Sequence, residues 1–285
     1  MTGVLEPIAS RIARRPRISL GAAFMALAAV AAYAVEKDRH TLRRIAQACV
    51  ADARRTGSPF PCLKVDLTEG EDRGYVIFRP PWLNDTVLVP TRRITGVEDP
   101  FLASPDAPNY FADAWGERSV LTRPDGAAPA RDRLSLFVNS KLVRTQDQLH
   151  IHIACLKPAA RRTLTSVAPR LPVGEWRLIA AVVPHQPFWV LRLGRADLDG
   201  VDPFRLADQL FGGVAGDPAQ LTVAVAGATV GGEDDLLILA TYAHAPGSWW
   251  PVGADDLIDS RCAPEPPSEP DAAVGGSRGP EARGA

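Results

Sequence analysis

The sequence predicts an α+β fold in which helices flank a mostly antiparallel sheet. Short apolar runs of strand length recur along the chain, and segments with apolar residues at helical spacing lie among them. Turns rich in proline or asparagine join several of these runs, as expected for hairpins. Residues 40–262 show neither an internal repeat nor a long linker. One domain spanning residues 36–262 therefore accounts for most of the chain.

The N-terminal region carries a basic segment followed by an uncharged one. The basic residues are Arg11, Arg14, Arg15 and Arg17, and the uncharged run covers residues 18–35. A helix of about 18 residues is roughly 27 Å long, close to the hydrocarbon thickness of about 30 Å. We expect a transmembrane signal anchor at 18–35, with residues 1–17 in the cytoplasm. The small residues of Ala32-Tyr33-Ala34 leave a cleaved signal peptide as the alternative.

Charge and composition restrict the partners. The formal net charge is -1, so no overall positive field favours nucleic acid. Residues 263–285 are rich in Pro, Glu, Gly and Ala and have little to bury, which predicts a disordered tail.

Four cysteines in an exported chain favour disulfides, since these persist outside the cytoplasm. Cys49 and Cys62 are close in sequence, so they would staple a short loop. Cys155 and Cys262 would pair by elimination. The sequence alone allows three pairings, and the spacings resemble no zinc site.

The helices and strands follow in order. Helices are predicted over His40–Arg55, over Asn109–Thr122, from Pro158 to Val167, and from Pro203 through Phe204–Phe211. Strands are predicted at Gly74–Phe78, Thr86–Pro90, Leu134–Val138, Trp176–Val183, Phe188–Leu193, Leu221–Ala226 and Leu236–Tyr242.

A further predicted strand, Thr145 to Ile153, carries two histidines. Apolar and polar residues alternate there, so His150 and His152 would project from one face while Leu149, Ile151 and Ile153 pack behind them. Two adjacent imidazoles can serve as a nucleophile and its partner, as an acid–base pair, or as two metal ligands.

The residues around the histidines favour phosphate chemistry over metal. Asn139, Ser140, Gln146 and Gln148 are neutral hydrogen-bonding groups suited to phosphate oxygens or a ribose. A metal would need a third ligand. Asp147 would lie on the opposite face of a regular strand and His185 is distant in sequence. We therefore expect no metal and no other cofactor.

The string His150-Ile151-His152-Ile153-Ala154 resembles the His-x-His-x-His motif of histidine-triad nucleotide hydrolases and transferases. The fuller pattern is similar to the CDP-diacylglycerol pyrophosphatase family. That pattern comprises Val138-Asn139-Ser140 with Gln146 to Cys155, Gly74-Tyr75-Val76, Val89 to Gly96, Ala114-Trp115, Asp202-Pro203-Phe204 and Leu257 to Cys262. The resemblance covers residues 40–262 and extends to the N-terminal apolar segment.

The resemblance implies a histidine-triad-like fold and hydrolysis of CDP-diacylglycerol to CMP and phosphatidate. His152, at the position of the middle histidine, would attack the nucleotide phosphorus, and His150 would orient it. An imidazole with an ordinary pKa of about 6.5 is a competent nucleophile near pH 7. Asn139, Gln148 and Ser140 would hold the phosphate oxygens.

One departure concerns the third histidine, which is Ala154 here. The acid for the leaving group is then unassigned, and His185 is the candidate, with an ordinary turn histidine as the alternative. Lys64, Arg79, Arg92 and Arg93 are candidates to neutralise the pyrophosphate, or else solvated surface groups. Tyr110, Phe111 and Trp115 are expected in the core.

The segments together predict a single-pass protein of a bacterial inner membrane with its catalytic domain on the periplasmic side. The partners implied are the lipid substrate and the membrane, and the sequence leaves protein partners undetermined. Three rivals remain open: a nucleotidyl transferase or hydrolase acting on other diesters, a non-catalytic nucleotide-binding module, and a periplasmic metal-binding protein.

Overall fold

A computed structural model describes residues 38–80, 86–121, 126–184, 186–211, 217–242, 251 and 253–262. The predicted cytoplasmic segment, signal anchor and C-terminal tail lie outside these residues. In the part of the chain so described, no helix combines the length and the apolar character needed to cross a membrane.

The predicted α+β class and antiparallel sheet are confirmed. Ten strands form one sheet in the order β1-β2-β3-β5-β4-β8-β9-β7-β6, and β10 also pairs with β5. Every pairing between these strands is antiparallel. The strands are β1 Lys64–Asp66, β2 Tyr75–Phe78, β3 Thr86–Pro90, β4 Leu134–Val138, β5 Ile151–Leu156, β6 Trp176–Val183, β7 Gln186–Arg192, β8 Leu221–Val230, β9 Glu233–Tyr242 and β10 Ile258–Asp259.

The four predicted helices are present, with one exception in length, and a short helix near the end of the described chain was not predicted. They are α1 Thr41–Thr56, α2 Tyr110–Gly116, α3 Pro158–Val167, α4 Pro203–Phe211 and the short α5 Ala254–Leu257. The exception is the helix expected to reach Thr122, because the α-helix ends at Gly116 and a 3₁₀ turn over Glu117–Val120 follows. Glycine is a poor helix former, which favours the tighter turn at that point.

The first face of the sheet carries the larger core. Tyr110, Phe111 and Trp115 of α2 are buried against it, which confirms the core role predicted for them. Phe204 of α4 packs on Phe111 with ring centroids 4.7 Å apart. The strands contribute alternate residues to this face, among them Ile151 and Ile153 of β5, as the alternation predicted.

The second face is covered in two separate places. Helix α1 packs over β2 and β3, where Val87 and Val89 lie. Helix α3 packs over the other half of the sheet, where Phe137 and Ala154 lie. The two clusters meet at β5, because His152 pairs with Val87 on one side and with Phe137 on the other. This junction is the place where the histidine side chain emerges.

Both disulfides have the predicted pairing. Cys49 of α1 is joined to Cys62 just before β1. Cys155 of β5 is joined to Cys262, which ties the end of the described chain to the strand that carries His152. No cysteine among the described residues is free.

The histidine strand is shorter than predicted. Strand β5 begins at Ile151, and the residues from Thr145 to His150 form an irregular loop. Hydrogen bonds from the side chains of Gln146 and Gln148 hold this loop in place of strand pairing. The backbone N–H of Leu149 donates to the carbonyl of Ile94. The alternation of Leu149 and Ile151 toward the core is nevertheless preserved.

The last two long strands are longer than predicted and form a hairpin. Strands β8 and β9 pair from Leu221↔Tyr242 to Val230↔Glu233, joined by Gly231 and Gly232. Both glycines have positive φ, 63° and 89°, as a two-residue hairpin turn requires. The sequence hid this extension because Gly227 interrupts the apolar run of β8 and because β9 begins with Glu233, Asp234 and Asp235. Strands β1 and β10 are too short to show a sequence pattern.

Candidate functional site

His152 is held by strands on both sides. Its backbone pairs with Val87 of β3 and Phe137 of β4, so its position on the second face is set by three adjacent strands. The side chain is partly exposed, while His150 is 9% exposed. The two rings lie together with centroids 5.0 Å apart, as the sequence predicted.

Asn139 is the polar group placed against His152. It follows β4 on the second face, and its Nδ2 lies 3.3 Å from Nε2 of His152. An amide nitrogen can only donate a hydrogen bond, so Nε2 of the ring accepts it. The neutral ring then carries its hydrogen on Nδ1. The lone pair of the His152 ring is then on Nε2, the nitrogen that faces Asn139.

The orientation of His150 follows from a backbone carbonyl. Its Nδ1 lies 2.8 Å from the carbonyl oxygen of Gln148. Because a carbonyl can only accept, Nδ1 of His150 carries the hydrogen. The neutral ring therefore has its lone pair on Nε2, where it can accept a proton.

The two glutamines predicted as substrate ligands have other partners here. Gln148 donates from Nε2 to the carbonyls of Pro90 at 3.0 Å and Arg92 at 2.9 Å. Gln146 accepts from the backbone N–H of Leu42 and donates to the carbonyl of Asp38. Both side chains thus hold the loop before β5 against its neighbours. Their role in binding substrate stays a prediction, and Oε1 of Gln148 is buried without a hydrogen-bond partner among the described residues.

Ser140 is fully buried beside Asn139. Its Oγ has no hydrogen-bond partner among the described residues, while its carbonyl accepts from the backbone of Val143 and Arg144. These two backbone hydrogen bonds form the turn that follows β4. The predicted contact of Ser140 with a phosphate remains a prediction.

Ion pairs hold the loop that ends at His150. Arg144 is 5% exposed and binds Glu98 and Asp147. Arg39 binds both carboxylate oxygens of Asp147 at 2.7 Å. Hydrogen bonds from Arg39 and then Arg144 lower the pKa of Asp147 to about 2. The sequence placed Asp147 away from the histidines, and its partners show that it is a structural anchor.

The C-terminal segment approaches the site from the other side. A β-carbon built on Gly253 would lie 3.7 Å from Oδ1 of Asn139. The backbone of this segment is fixed by β10, which pairs with β5 at Leu156 and Cys155. The disulfide at Cys155 therefore fixes the segment next to Asn139.

The structure brings neither Lys64 nor Arg79 to the histidines. Lys64 binds Glu117 on the first face. Arg79 donates to Oγ1 of Thr86 and to a backbone carbonyl near α2, also on the first face. The guanidinium of Arg92 lies 4.1 Å from the ring centre of Phe101, and Arg93 is exposed.

Ala154, at the position of the third histidine, is buried in the cluster beneath α3. The candidate acid His185 lies outside the described residues. Among the residues that are described, no three His, Cys, Asp or Glu side chains are grouped so as to hold a metal ion.

Sequence reasoning missed three buried polar residues on the second face, Thr222, Thr241 and Gln186, which together with the partly buried Asn139 we call the polar row. Thr222 pairs with Thr241 between β8 and β9, and Gln186 of β7 donates to Oγ1 of Thr241 at 2.8 Å. With Asn139 they make four residues. The available signal was a threonine inside each of two apolar strands.

A separate cavity of about 380 Å³ lies on the first face, remote from His152. Asp66, Glu69, Arg73, Tyr75 and Asp113 are among its lining residues. Burial, followed by the charges of Glu69 and Asp66, raises the pKa of Asp113 to about 6.

An imidazole on a strand that is paired on both sides, with an amide nitrogen beside it, is an arrangement that suits an enzyme acting on phosphate bonds. The chain belongs to the CDP-diacylglycerol pyrophosphatase family, whose model matches residues 37–265.

Named relatives agree with this assignment. A CDP-diacylglycerol pyrophosphatase of Yersinia pestis is 34% identical over 173 residues, 59% of this chain and 64% of that protein. One of Mycobacterium tuberculosis is 33% identical over 231 residues, 80% of this chain and 84% of that protein. A probable CDP-diacylglycerol pyrophosphatase of Mycobacterium leprae is 31% identical over 217 residues, 75% of this chain and 76% of that protein.

Proposed function

We propose that this chain hydrolyses CDP-diacylglycerol to CMP and phosphatidate, with His152 as the nucleophile. Family membership supports the substrate. The observation that supports the nucleophile is the 3.3 Å contact from Nδ2 of Asn139 to Nε2 of His152. It presents an unprotonated ring nitrogen beside an amide donor suited to a phosphate oxygen.

In the first step, Nε2 of His152 attacks the phosphorus bonded to the cytidine. The new P–N bond replaces the P–O bond to the second phosphate, and phosphatidate leaves with the electron pair of that bond. A phosphate monoester has a second pKa of about 6, so it leaves as an anion near neutral pH without needing an acid. Asn139 turns from His152 to the phosphate oxygen as the ring nitrogen is used.

In the second step, water attacks the same phosphorus and the P–N bond breaks. CMP is released and His152 regains its lone pair. We assign the proton of the attacking water to Nε2 of His150, since Nδ1 of that ring is already committed to the carbonyl of Gln148. Dividing hydrolysis into two displacements lets the imidazole of His152 act as the nucleophile in the first and as the leaving group in the second.

The same assignment implies a relationship to histidine-triad proteins, with Ala154 in place of the third histidine. The arrangement of His150 and His152 supports this relationship. The missing histidine would have touched the leaving group, and an anionic leaving group reduces the need for it.

We further propose that the domain works on the outer side of a bacterial inner membrane, next to its lipid substrate. Two disulfides support an oxidising compartment. The basic and apolar N-terminal residues support membrane attachment. An anchored enzyme would search a surface for a lipid that partitions into the bilayer.

Quench-trapping tests the proposed nucleophile. Full-length protein and His152→Ala are mixed with CDP-diacylglycerol labelled in the CMP moiety, and His40→Ala serves as a control at an exposed histidine just before α1. We expect an acid-labile, base-stable label on the wild type and on His40→Ala alone, with CMP and phosphatidate as products. Turnover that survives in His152→Ala would remove the nucleophile. CMP binding without turnover in the wild type would instead indicate a nucleotide-binding module.

A further inference from the structure

The polar row contains polar atoms that no described residue satisfies. Oγ1 of Thr222 and Oε1 of Gln186 are buried and have no hydrogen-bond partner among the described residues. Thr222 is 0% exposed and Gln186 is 1% exposed. An unpaired buried polar atom costs free energy, so such atoms in a folded protein call for a water or a ligand to pair with them.

The polar row lies on the same face as the histidines. Thr222 is two residues from Ala224, Thr241 two from Leu239, and Gln186 two from Phe188; those three apolar residues belong to the cluster on the second face. Residues two apart in a strand share a face. The polar row therefore continues on the face from which His152 emerges.

Strand pairing connects the polar row to the histidines. The β4–β8 pairing ends at Val138↔Val223, so one further residue in register places Asn139 opposite Thr222. Thr222 is in turn opposite Thr241. With strands about 4.8 Å apart, Thr222 lies about 10 Å and Thr241 about 14 Å from the strand of His152. This span suits a nucleotide whose phosphate is at His152.

The hydrogen-bonding pattern of Gln186 assigns its amide atoms. One amide atom lies 3.2 Å from the carbonyl of Tyr242, which can only accept, so that atom is the nitrogen. The same nitrogen donates to Thr241, and the hydroxyl of Thr241 donates to the carbonyl of Pro187 at 2.8 Å. The unsatisfied Oε1 of Gln186 is thereby held as an acceptor.

We propose that the polar row binds the cytidine of the substrate, an inference that rests on the proposed function. The row contains no charged side chain, which fits a nucleoside better than a phosphate or an amine. The hydroxyl of Thr222 faces the ribose, and Oε1 of Gln186 accepts from the exocyclic amine of cytosine. That amine is a donor, whereas the corresponding oxygen of uracil is an acceptor and would meet Oε1 unfavourably. The row thus selects cytosine over uracil.

Titration of CMP and UMP into the full-length protein tests the proposal by calorimetry, independently of turnover. We expect the wild type to prefer CMP. Gln186→Met should weaken CMP binding by about tenfold to a hundredfold and should leave UMP binding as strong as in the wild type or stronger, because the unfavourable contact with Oε1 is removed. Thr222→Val, which keeps the side-chain shape, should weaken both ligands about tenfold. Thr229→Val is the matched control, because Thr229 is on the same strand but exposed at its far end.

Several results would overturn the proposal. One is a wild type that does not prefer CMP, and another is a folded Thr222→Val that binds both ligands as the wild type does. If Gln186→Met fails to fold because it loses the bonds to Thr241 and Tyr242, Thr222→Val decides, since it removes no hydrogen bond made within the described protein. Hydrolysis of CDP-diacylglycerol is measured in parallel. If the wild type prefers CMP but does not hydrolyse the lipid, only the proposed hydrolase activity is refuted. If it hydrolyses the lipid without preferring CMP, only the proposed binding of cytidine by the polar row is refuted.

Discussion

Gly96 lies directly against the guanidinium of Arg144, since a β-carbon built on Gly96 would be 2.0 Å from Nη1 of Arg144. Arg144 is in turn buried and paired with Glu98 and Asp147. The glycine therefore permits the ion pairs that hold the loop before β5. This relationship explains why a glycine is needed at a position far from His152 in sequence.

Gly96→Ala should displace Arg144 from Glu98 and loosen the loop that ends at His150. Disturbing a buried ion pair leaves charges poorly paired, so we expect a loss of about 1–3 kcal/mol in the free energy of unfolding. Urea unfolding and kcat on the lipid substrate measure the effect. Gly116→Ala is the control, because a β-carbon there meets nothing within 4 Å. Equal stability of Gly96→Ala and the wild type would contradict the prediction.

Asn139→Leu keeps the approximate size of the side chain and removes its hydrogen-bonding groups. If Asn139 holds a phosphate oxygen as charge develops, kcat should fall by about tenfold to a thousandfold with a smaller change in KM. Steady-state kinetics on CDP-diacylglycerol measure both constants. Gln47→Leu on the exposed side of α1 is the control. A change confined to KM would assign Asn139 to ground-state binding instead.

The two disulfides should differ in their effect on activity. Cys155→Ala with Cys262→Ala opens a link across 107 residues, whereas Cys49→Ala with Cys62→Ala opens one across 13. On the chain-entropy argument the losses in unfolding free energy are about 4.7 and about 3 kcal/mol. Only the first pair fixes the segment beside Asn139, so it should lower kcat more. Unfolding curves and kinetics on both variants test this, and an equal loss of kcat would disprove it.

Asp113 should make the protein less stable as pH rises. Burial raises its pKa in the folded state from the ordinary aspartate value of 3.8 to about 6. The folded state therefore holds the proton more tightly, and stability is lost as pH increases from about 4 to above about 6. Asp113→Asn should remove this dependence and gain on the order of 2 kcal/mol at pH 7.5, less at pH 5.

Urea unfolding of Asp113→Asn and the wild type at pH 5 and 7.5 measures the difference. The neighbouring groups that share the cavity or its charge are Asp66, Glu69, Glu117, Lys64 and Arg73, and they stay unchanged in both proteins. A difference that shrinks as pH rises would show that the sign is wrong.

Local patterns predicted most of the fold. Strands such as Leu134–Val138 and helices such as Pro158–Val167 have the predicted bounds because alternation and helical spacing are properties of neighbouring residues. The start of β5 was misjudged, since the segment before His150 alternates like a strand but is held by Arg144, Gln146 and Gln148 to distant residues. No local pattern reports such partners.

The sequence by itself indicated the chemistry proposed for the site. His150, His152 and Asn139 could be named because the alternation predicted that the two histidines project from one face and because Asn139 ends the preceding strand. Both disulfides could be paired from spacing and elimination. These features depend on residue type and short separations, which a sequence displays directly.

Only the tertiary structure decided which polar groups remain unpaired. In the structure, Gln146 and Gln148 form hydrogen bonds that hold the loop before β5. Lys64 and Arg79 lie on the first face of the sheet, opposite the histidines. The structure also placed Thr222 and Gln186 in one row with Asn139, although the three lie on different strands. Strand order brings together residues far apart in sequence, and hydrogen bonds are then allocated by distance in space, which no pattern along the chain reveals.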